Sequence, residues 1–435
     1  MRIGFFYHSL VSDWNHGNAH FLRGIVTELQ ARGHEVRVFE PWKSWSRRNL
    51  ILQHGRGPLR EFHMMYPNLS STICTLKTLE QQLDGLDLVL VHEWNDHKLV
   101  SQIGRHRKQQ KSFKLLFHDT HHRSITDIKA MKKYELSHYD GVLAFGNKIR
   151  NIYLSKRWIR RAWTWHEAAD TRVFRPLPAE RKTGDLVWIG NWGDGERTAE
   201  LQKFLLRPVK ALGLRAHAYG VRYPRRAVRL LRGAGIRYKG WLPNYMVPRV
   251  FAQFKITAHI PRRPYVKALP GIPTIRPFEA LACGIPLICS PWRDAEHLFT
   301  AGEDYLVAGS GPEMKAHIRR LLNEPEFAEA LAQHGLKTVW ERHTCIHRVD
   351  ELLQICAELG MRSEILAPVS MNGKLNGRII PIELISPQAA EAQPRRMMRI
   401  RSSQKPYPKT AKRRSRRRMH SPRRRVFPEL LKGGS

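Results

Sequence analysis

The 435-residue sequence lacks the features that mark secreted and membrane-spanning proteins. It has five cysteines, an odd number, and no Cys-x-x-Cys pair, which fits reduced thiols better than a disulfide framework. No stretch approaches the roughly 20 consecutive apolar residues that span a bilayer. The apolar run at residues 3–7 is too short for a secretory signal. We therefore expect a soluble cytoplasmic protein without structural disulfides.

Patterns that bind metal ions are also missing. The segment HEWNDH (residues 92–97) does not have the spacing of a zinc-binding HExxH helix, and HTCIH (residues 343–347) offers only three dispersed ligands. The sequence contains no Asp-x-Asp pair of the kind that chelates a divalent cation. We expect neither a metal ion nor a resident cofactor.

Acidic residues are scarce. The chain has 74 Lys and Arg against 38 Asp and Glu, a net charge of +36. Residues 361–435 hold 19 Lys and Arg against four Glu, so this segment carries +15 and the first 360 residues carry +21. Such an excess predicts attraction to nucleic acid, anionic lipid or phosphorylated substrates. The tail, rich in Arg, Pro and Ser, is predicted to be disordered.

The first half of the chain alternates apolar strands with helical spacing. A strand at residues 3–7 precedes a polar loop at 9–17, a helix that ends near Gly33 and a second strand at 36–39. Further strands are predicted at 86–93, 113–120 and 139–146. Because these runs are apolar throughout, we expect a parallel sheet covered on both faces, with ligands beyond the carboxyl ends of its strands.

A second alternation follows a proline-rich, charged linker at residues 171–184. It begins with the strand DLVWIG (185–190) and continues through a helix at 198–212 to helices that end near residue 359. The sequence therefore predicts two α/β domains of the Rossmann type, residues 1–170 and 171–360, followed by the tail at 361–435.

The segment PGIPTIRPFEALACGIPLICSPW (residues 270–292) carries the strongest chemical signal. Pro277 and Gly284 predict the first turn and the end of a short helix over 278–283. Its unpaired N–H groups and Arg276 suit a diphosphate. Glu279 on the first turn suits ribose hydroxyls. A buried connector with a structural Glu and Arg is the alternative interpretation.

This segment resembles the donor-site signature of GT-B glycosyltransferases, in which a Glu precedes A-x-x-x-G-x-P and grips the ribose. Glu279 occupies that position. The wider stretch resembles the CgeB-like branch of the group 1 family. Asp170, Phe174 and Pro176 match the N-G-V-D-x-x-x-F-x-P pattern of many retaining members. The likeness covers residues 1 to about 358 and implies an acceptor domain and a donor domain facing a cleft.

The resemblance implies further donor contacts. Many retaining relatives have a second Glu where this chain has Gly271, so the backbone N–H groups of Gly271 and Ile272 are candidates for its role. Arg197 follows the loop GNWGDGE, where relatives neutralise the diphosphate; a surface salt bridge at a helix start is the alternative. Phe278 is a further donor-side candidate, and Gly17 and Asn18 are candidates near the sugar phosphate. Trp241 or Leu242 would contact the base, with a core position of Trp241 as the alternative.

The first domain supplies candidates for catalysis. The run LLFHDTHHRS brings His118 and Asp119 to the carboxyl end of a strand. In GT-B relatives a His-Asp pair here touches the donor sugar or the acceptor. The alternative is a His bound to backbone and an Asp that caps the next helix. Glu93 and Asp96 end the neighbouring strand and are acceptor-side candidates, with cleft-lining or capping as the alternative.

We therefore predict a metal-independent glycosyltransferase that uses a nucleotide sugar, with retention of configuration and an unidentified glycan, lipid-linked or protein acceptor. The absence of Asp-x-Asp separates it from the metal-dependent GT-A class. Two other hypotheses make it a degenerate transferase fold that binds nucleic acid or anionic membrane through its basic tail. We expect a cytoplasmic location, with peripheral contact at the inner face of the membrane.

Overall fold

The computed structural model of the chain describes residues 1–177 and 181–361. The predicted disorder of the basic tail concerns residues almost wholly outside this part of the chain and stays a prediction. All five cysteines lie within it, and each is buried and unpaired.

Seven parallel strands form the first sheet, in the order β3-β2-β1-β4-β5-β6-β7. The elements of this half of the chain are β1 (Arg2–Phe6), α1 (Ala19–Ala31), β2 (Glu35–Pro41), α2 (Trp45–His54), α3 (Gly57–Met65), β3 (Thr72–Cys74), α4 (Leu79–Leu83), β4 (Leu88–His92), α5 (His97–Gln110), β5 (Lys114–Asp119), α6 (Arg123–Thr126), α7 (Ile128–Met131), β6 (Gly141–Ala144), α8 (Asn147–Ser155) and β7 (Ala162–Thr164).

Six parallel strands form the second sheet, in the order β10-β9-β8-β11-β12-β13. Its half of the chain contains β8 (Gly184–Ile189), α9 (Thr198–Leu201), a π-helical turn (Gln202–Leu206), α10 (Arg207–Leu212), β9 (Ala216–Tyr219), α11 (Arg225–Gly233), β10 (Ile236–Gly240), a 3-10 turn (Asn244–Met246), α12 (Val247–Ala252), β11 (Phe254–His259), α13 (Arg263–Ala268), α14 (Ile275–Ala282), β12 (Leu287–Cys289), β13 (Leu306–Val307), α15 (Gly311–Asn323), α16 (Pro325–Arg342) and α17 (Cys345–Glu358).

Burial explains why the strands could be predicted from the sequence. Every residue of β4 and β6 is buried, as expected for strands covered by helices on both faces. The edge strands β3 and β7 are short and largely unburied, so they give no comparable signal. The helix expected at 198–212 is present, but its middle is wound as a π turn.

Strand order fixes where ligands bind. In the first sheet β1 lies between β2 and β4, and in the second sheet β8 lies between β9 and β11. Strand order reverses at these positions, and in such sheets ligands bind in the crevice outside the carboxyl ends of the strands at that reversal. The loops after β1, β4, β8 and β11 are therefore the places to look for function.

The chain passes between the two sheets twice, and the two passages run side by side. The Ala169 N–H donates to the His343 carbonyl at 3.0 Å, and the Cys345 N–H donates to the Ala169 carbonyl at 2.9 Å. The last helix, α17, then returns to α1, where Leu352 and Leu353 join the core of the first sheet. The predicted boundary at residues 170 and 171 stays a prediction. Within the described ranges, no helix is both long and apolar enough to cross a bilayer.

Candidate functional site

The loops at the carboxyl ends of the two sheets meet at the start of α1 and the start of α14. A side-chain carbon at Gly17 would lie 3.2 Å from Ile275, so the loop before α1 lies against the first residue of α14. In the first turn of α1, His20 Nδ1 lies 2.9 Å from Glu279 Oε1 on α14. The loop that contains Gly17 and Asn18 therefore lies beside the start of α14, and its contact with a sugar phosphate stays a prediction.

Glu279 is fully buried and its charge is compensated from both domains. Arg276, one turn earlier on α14, forms an ion pair with it, and the Asn244 amide lies 3.5 Å from Oε1. His20 Nε2 accepts the backbone N–H of Asp170 at 2.8 Å, so a neutral His20 carries its proton on Nδ1 and donates it to Glu279. Side chains of both domains therefore cover this carboxylate.

Arg197 is held in place by backbone carbonyls. Its guanidinium donates to the Ile260 carbonyl at 2.8 Å and to the Asn191 carbonyl at 2.5 Å, and it stacks on Trp188. Burial lowers the pKa of Arg197 to about 10, which still leaves it cationic at neutral pH. The surface salt bridge considered as the alternative is not what anchors it. Its Nε is buried and has no hydrogen-bond partner among the described residues.

The backbone N–H groups of Gly271 and Ile272, predicted to contact the donor sugar, form hydrogen bonds within the protein. Gly271 has a φ of +88°, and its N–H donates to the Arg293 carbonyl at 2.6 Å. The Ile272 N–H donates to the Leu269 carbonyl at 3.3 Å. Both amides are thus engaged inside the protein, which corrects the expectation that they are free for a ligand. Phe278 lies on the core face of α14, in edge-to-face contact with Phe299, and does not face the cleft.

Asp13 ties the first domain to the second. Its carboxylate accepts the Trp241 indole N–H at 3.0 Å, the Asn244 backbone N–H at 2.9 Å and the Arg23 guanidinium at 3.1 Å. Both Asp13 and Arg23 are almost completely buried. Trp241 lies in this contact between the domains, and its predicted contact with the base stays a prediction. We call Asp13, Arg23, Trp241 and Asn244 the Asp13 latch.

His118 and Asp119 are buried below the cleft. The His118 Nδ1 lies 2.5 Å from the Tyr7 hydroxyl, its Nε2 has no partner among the described residues, and burial lowers the pKa of His118 to about 3. Asp119 accepts the Tyr153 hydroxyl at 2.9 Å and the His121 N–H at 3.1 Å, and burial raises its pKa to about 7. Asp119 therefore has structural partners but does not cap α6, whose N-cap is His122, and the catalytic role of the pair stays a prediction.

Glu93 and Asp96 also have structural partners. Glu93 is buried and forms an ion pair with Arg123, while the Glu93 carbonyl accepts the Tyr134 hydroxyl. Asp96 caps α5 by accepting the Lys98 N–H at 2.8 Å. These contacts match the capping and cleft-lining roles considered for them.

Glu167 is a candidate that the sequence analysis missed. It follows β7 in the first domain and hydrogen-bonds the Asn18 side chain, and burial followed by the negative charge of Glu279 raises the pKa of Glu167 to about 8. Its Oε2 has no partner among the described residues. At neutral pH Glu167 is therefore a neutral carboxylic acid, able to donate a hydrogen bond beside Glu279. The segment WHEAAD contains it, but only burial between the domains reveals its state.

Imidazole and indole rings line the first-domain side of the cleft. His8 lies 5.2 Å from His16 and 6.2 Å from both Trp45 and Trp94, measured between ring centroids. Burial lowers the pKa of His8 to about 4 and that of His16 well below its usual value, so these rings are neutral. Across the described ranges, no three His, Cys, Asp or Glu side chains are arranged to hold a metal ion.

Comparison with known proteins agrees with this geometry. Residues 197–354 match the family model of glycosyl transferase-like proteins. No curated protein matches the sequence. Among solved structures, HepE of Anabaena is 12% identical with a TM-score of 0.59, and the alignment covers 82% of this chain and 100% of HepE.

Two other structures show the same fold. Sucrose-phosphate synthase of Thermosynechococcus elongatus is 15% identical with a TM-score of 0.57, and the alignment covers 83% of this chain and 99% of that one. A glycosyltransferase of Rickettsia africae is 12% identical with a TM-score of 0.59, at 83% and 99% coverage. The CgeB-like branch stays a prediction. The chain has the GT-B fold, and residues 197–354 match the glycosyl transferase-like family, in agreement with the resemblance to GT-B glycosyltransferases noted in the sequence.

Proposed function

We propose that the protein transfers a glycosyl group from a nucleoside diphosphate sugar held by its second domain to an acceptor that enters from the first domain. The observation that carries this proposal is the buried Glu279, which pairs with Arg276 within the family-matched segment. Because α14 begins at Ile275, three residues before the predicted start, Arg276 lies in its first turn and Glu279 in its second. A carboxylate there suits the ribose, and the start of α14 with Arg276 suits the diphosphate. HepE has been solved with UDP and with UDP-glucose, which supports UDP as the first nucleotide to test.

In the proposed reaction the bond between the sugar C1 and the diphosphate oxygen breaks, and a bond from an acceptor oxygen to C1 forms. The leaving diphosphate keeps the electron pair, and the acceptor gives up its proton. Arg276 and Arg197 would stabilise the negative charge that develops on the diphosphate. Because two cations can supply positive charge beside the leaving group, we propose metal-independent transfer. Retention of configuration is proposed on the motif match at Asp170 and Phe174.

Domain opening is part of the proposal. Glu279 is fully buried against His20 and Arg276, so the nucleotide would enter when the Asp13 latch releases and would replace His20 as the partner of Glu279. Reclosure would exclude water from the sugar. Neutral Glu167 would donate a hydrogen bond to a sugar or phosphate oxygen from the first domain.

Thermal unfolding of the full chain with UDP, GDP, ADP, dTDP and CMP tests the donor site. A nucleotide present at about 100 times its Kd stabilises the folded state by about 2.7 kcal/mol. We expect one nucleotide to raise Tm, and Glu279→Gln to abolish that rise. The exposed Glu329→Gln is the matched control and should keep it. If no nucleotide raises Tm, or if Glu279→Gln keeps the full rise, the proposed donor site is wrong.

Product analysis tests the reaction itself. With the matching nucleotide sugar we expect release of the nucleoside diphosphate in the presence of a chelator, and the anomeric configuration of the product read by NMR would decide retention. Release that requires a divalent cation would contradict the metal-independent part of the proposal.

A further inference from the structure

Exposed apolar side chains concentrate on one segment of the first domain. Trp42, Trp45, Leu52 and Met64 are 66%, 37%, 70% and 53% exposed, and Leu52 and Trp42 are the two most exposed large apolar side chains in the described ranges. We call the segment from residue 42 to residue 64, which runs from the end of β2 through α2 and α3, the α2–α3 face. A concentration of exposed large apolar side chains marks an interaction site.

Helix geometry places Trp45, Arg48 and Leu52 on one side of α2. Their spacings of three and four residues bring them to the same side of an α-helix, and all three are exposed. Leu50 is buried, and packs with Trp14 and Val221. The apolar side chains that face solvent are therefore presented by a helix whose other face is fixed in the protein.

The next helix repeats the arrangement. On α3, Phe62 and Met65 are buried, whereas Arg60, His63 and Met64 are exposed. The two helices pack next to each other. Each thus presents a large apolar side chain and an Arg on its solvent side.

The α2–α3 face is strongly basic. Its one acidic residue, Glu61, accepts the Tyr245 hydroxyl of the second domain at 2.9 Å. Against it stand five basic side chains, Lys43, Arg47, Arg48, Arg56 and Arg60. The Lys43 ammonium lies 5.1 Å from the centre of the Trp42 ring. Cations and apolar side chains are therefore interleaved rather than separated.

We propose that the α2–α3 face docks on the surface of an anionic lipid bilayer. Tryptophan prefers the interface between headgroups and acyl chains, leucine and methionine enter the acyl boundary, and arginine and lysine bind anionic headgroups. Nucleic acid also attracts cations and tryptophan, but Leu52 and Met64 give it neither stacking nor hydrogen bonds. The combination therefore fits a lipid surface better.

The α2–α3 face borders the cleft. Trp45 lies 5.0 Å from Trp14 and 6.2 Å from His8, between ring centroids, and Arg222 of the second domain lies over the Trp45 ring at 5.7 Å. A protein docked through this face would hold the cleft mouth beside the lipid surface. The docking itself does not rest on the proposed transferase reaction.

Co-sedimentation of the full chain with vesicles tests the proposal. The vesicles are phosphatidylcholine alone, or phosphatidylcholine with phosphatidylglycerol. Arg48→Gln with Arg60→Gln removes two positive charges. Because each basic residue near an anionic surface contributes about fivefold in affinity, binding to the anionic vesicles should weaken roughly twenty-five-fold. The matched control, Arg229→Gln with Arg232→Gln, removes two exposed arginines from α11 in the second domain and should leave most of the binding intact.

A second pair of variants tests apolar insertion. Trp42→Ala with Leu52→Gln should lower binding to anionic vesicles and make the remainder more sensitive to salt. The control, Trp340→Ala with Leu154→Gln, makes the same two substitutions at positions outside the α2–α3 face that are 39% and 38% exposed. It should not change vesicle binding.

Three outcomes overturn the proposal. Equal binding by the face variants and their controls would assign vesicle binding to other basic residues. If the wild-type protein does not bind anionic vesicles, the α2–α3 face is not a lipid-docking surface. A loss of affinity for a DNA duplex in the charge variant, without loss of vesicle binding, would assign the face to nucleic acid.

Discussion

Replacing Glu167 by Gln should change how stability depends on pH. The carboxyl has a pKa of about 8 in the folded protein, raised from 4.5 by burial and by the charge of Glu279. The folded state therefore keeps its proton above pH 4.5, where the unfolded chain has lost it. Folding stability falls as pH rises through that interval, because the native state binds more protons than the unfolded state.

The slope is about 1.4 kcal/mol per pH unit for one proton. Between about pH 5.5 and about pH 7.5 the wild-type protein should lose about 2–3 kcal/mol relative to Glu167→Gln, whose amide does not titrate. Urea denaturation of both proteins at several pH values measures this difference. Glu326→Gln, which makes the same change at an exposed position, is the control for the substitution itself.

A stability difference between wild type and Glu167→Gln that stays constant with pH would refute the reasoning, because it would mean that Glu167 titrates alike in the folded and unfolded chains. Turnover gives a second readout. If neutral Glu167 donates a hydrogen bond to the donor substrate, the decline in activity above pH 8 should disappear in Glu167→Gln.

Three further changes have expected outcomes. Gly24→Ala should destabilise the protein by about 1–3 kcal/mol, since the new methyl group would clash with Cys345, whereas Gly233→Ala, with no atom within 4 Å, should be neutral or stabilising in the same urea titration. Asp13→Ala should cost about 3–5 kcal/mol by leaving buried Arg23 unpaired, and small-angle X-ray scattering should show a larger radius of gyration as the latch opens; an unchanged radius would contradict the latch. His118→Asn should reduce the loss of stability on acidification, because the neutral His118, with a pKa of about 3, favours the folded state above pH 6.5 and loses that advantage as pH falls; identical acid titrations would contradict this.

The strands could be predicted because strands buried on both faces consist of continuous runs of apolar residues. Runs such as LDLVLVHE are apolar on both faces, and the structure buries every residue of β4. The segment that became α2 and α3 was not identified as helical. Its exposed faces carry Trp45, Leu52 and Met64 in place of polar residues, which obscures the periodicity from which an amphipathic helix is recognised.

The site was predicted in part. Glu279 and Arg276 could be located because a helix start after a Gly/Pro loop has a local signature. The partner His20 could not, because 259 residues separate it from Glu279 and no local pattern records which loops meet across a cleft. The same holds for Asp13, whose partners Trp241 and Asn244 come from the other domain. For Gly271 and Ile272 the sequence could not show that their amides are already bonded.

The return of α17 to the first sheet affects synthesis of the protein on the ribosome. Leu352 and Leu353 pack in the same core as Ile3 and Phe21, yet they are made more than 300 residues later. The N-terminal half of a nascent chain therefore emerges with a hydrophobic groove along α1 that stays open until the second domain has been translated. Since exposed grooves of this kind favour aggregation of incomplete chains, shortening the protein before residue 359 should harm its first domain more than its second.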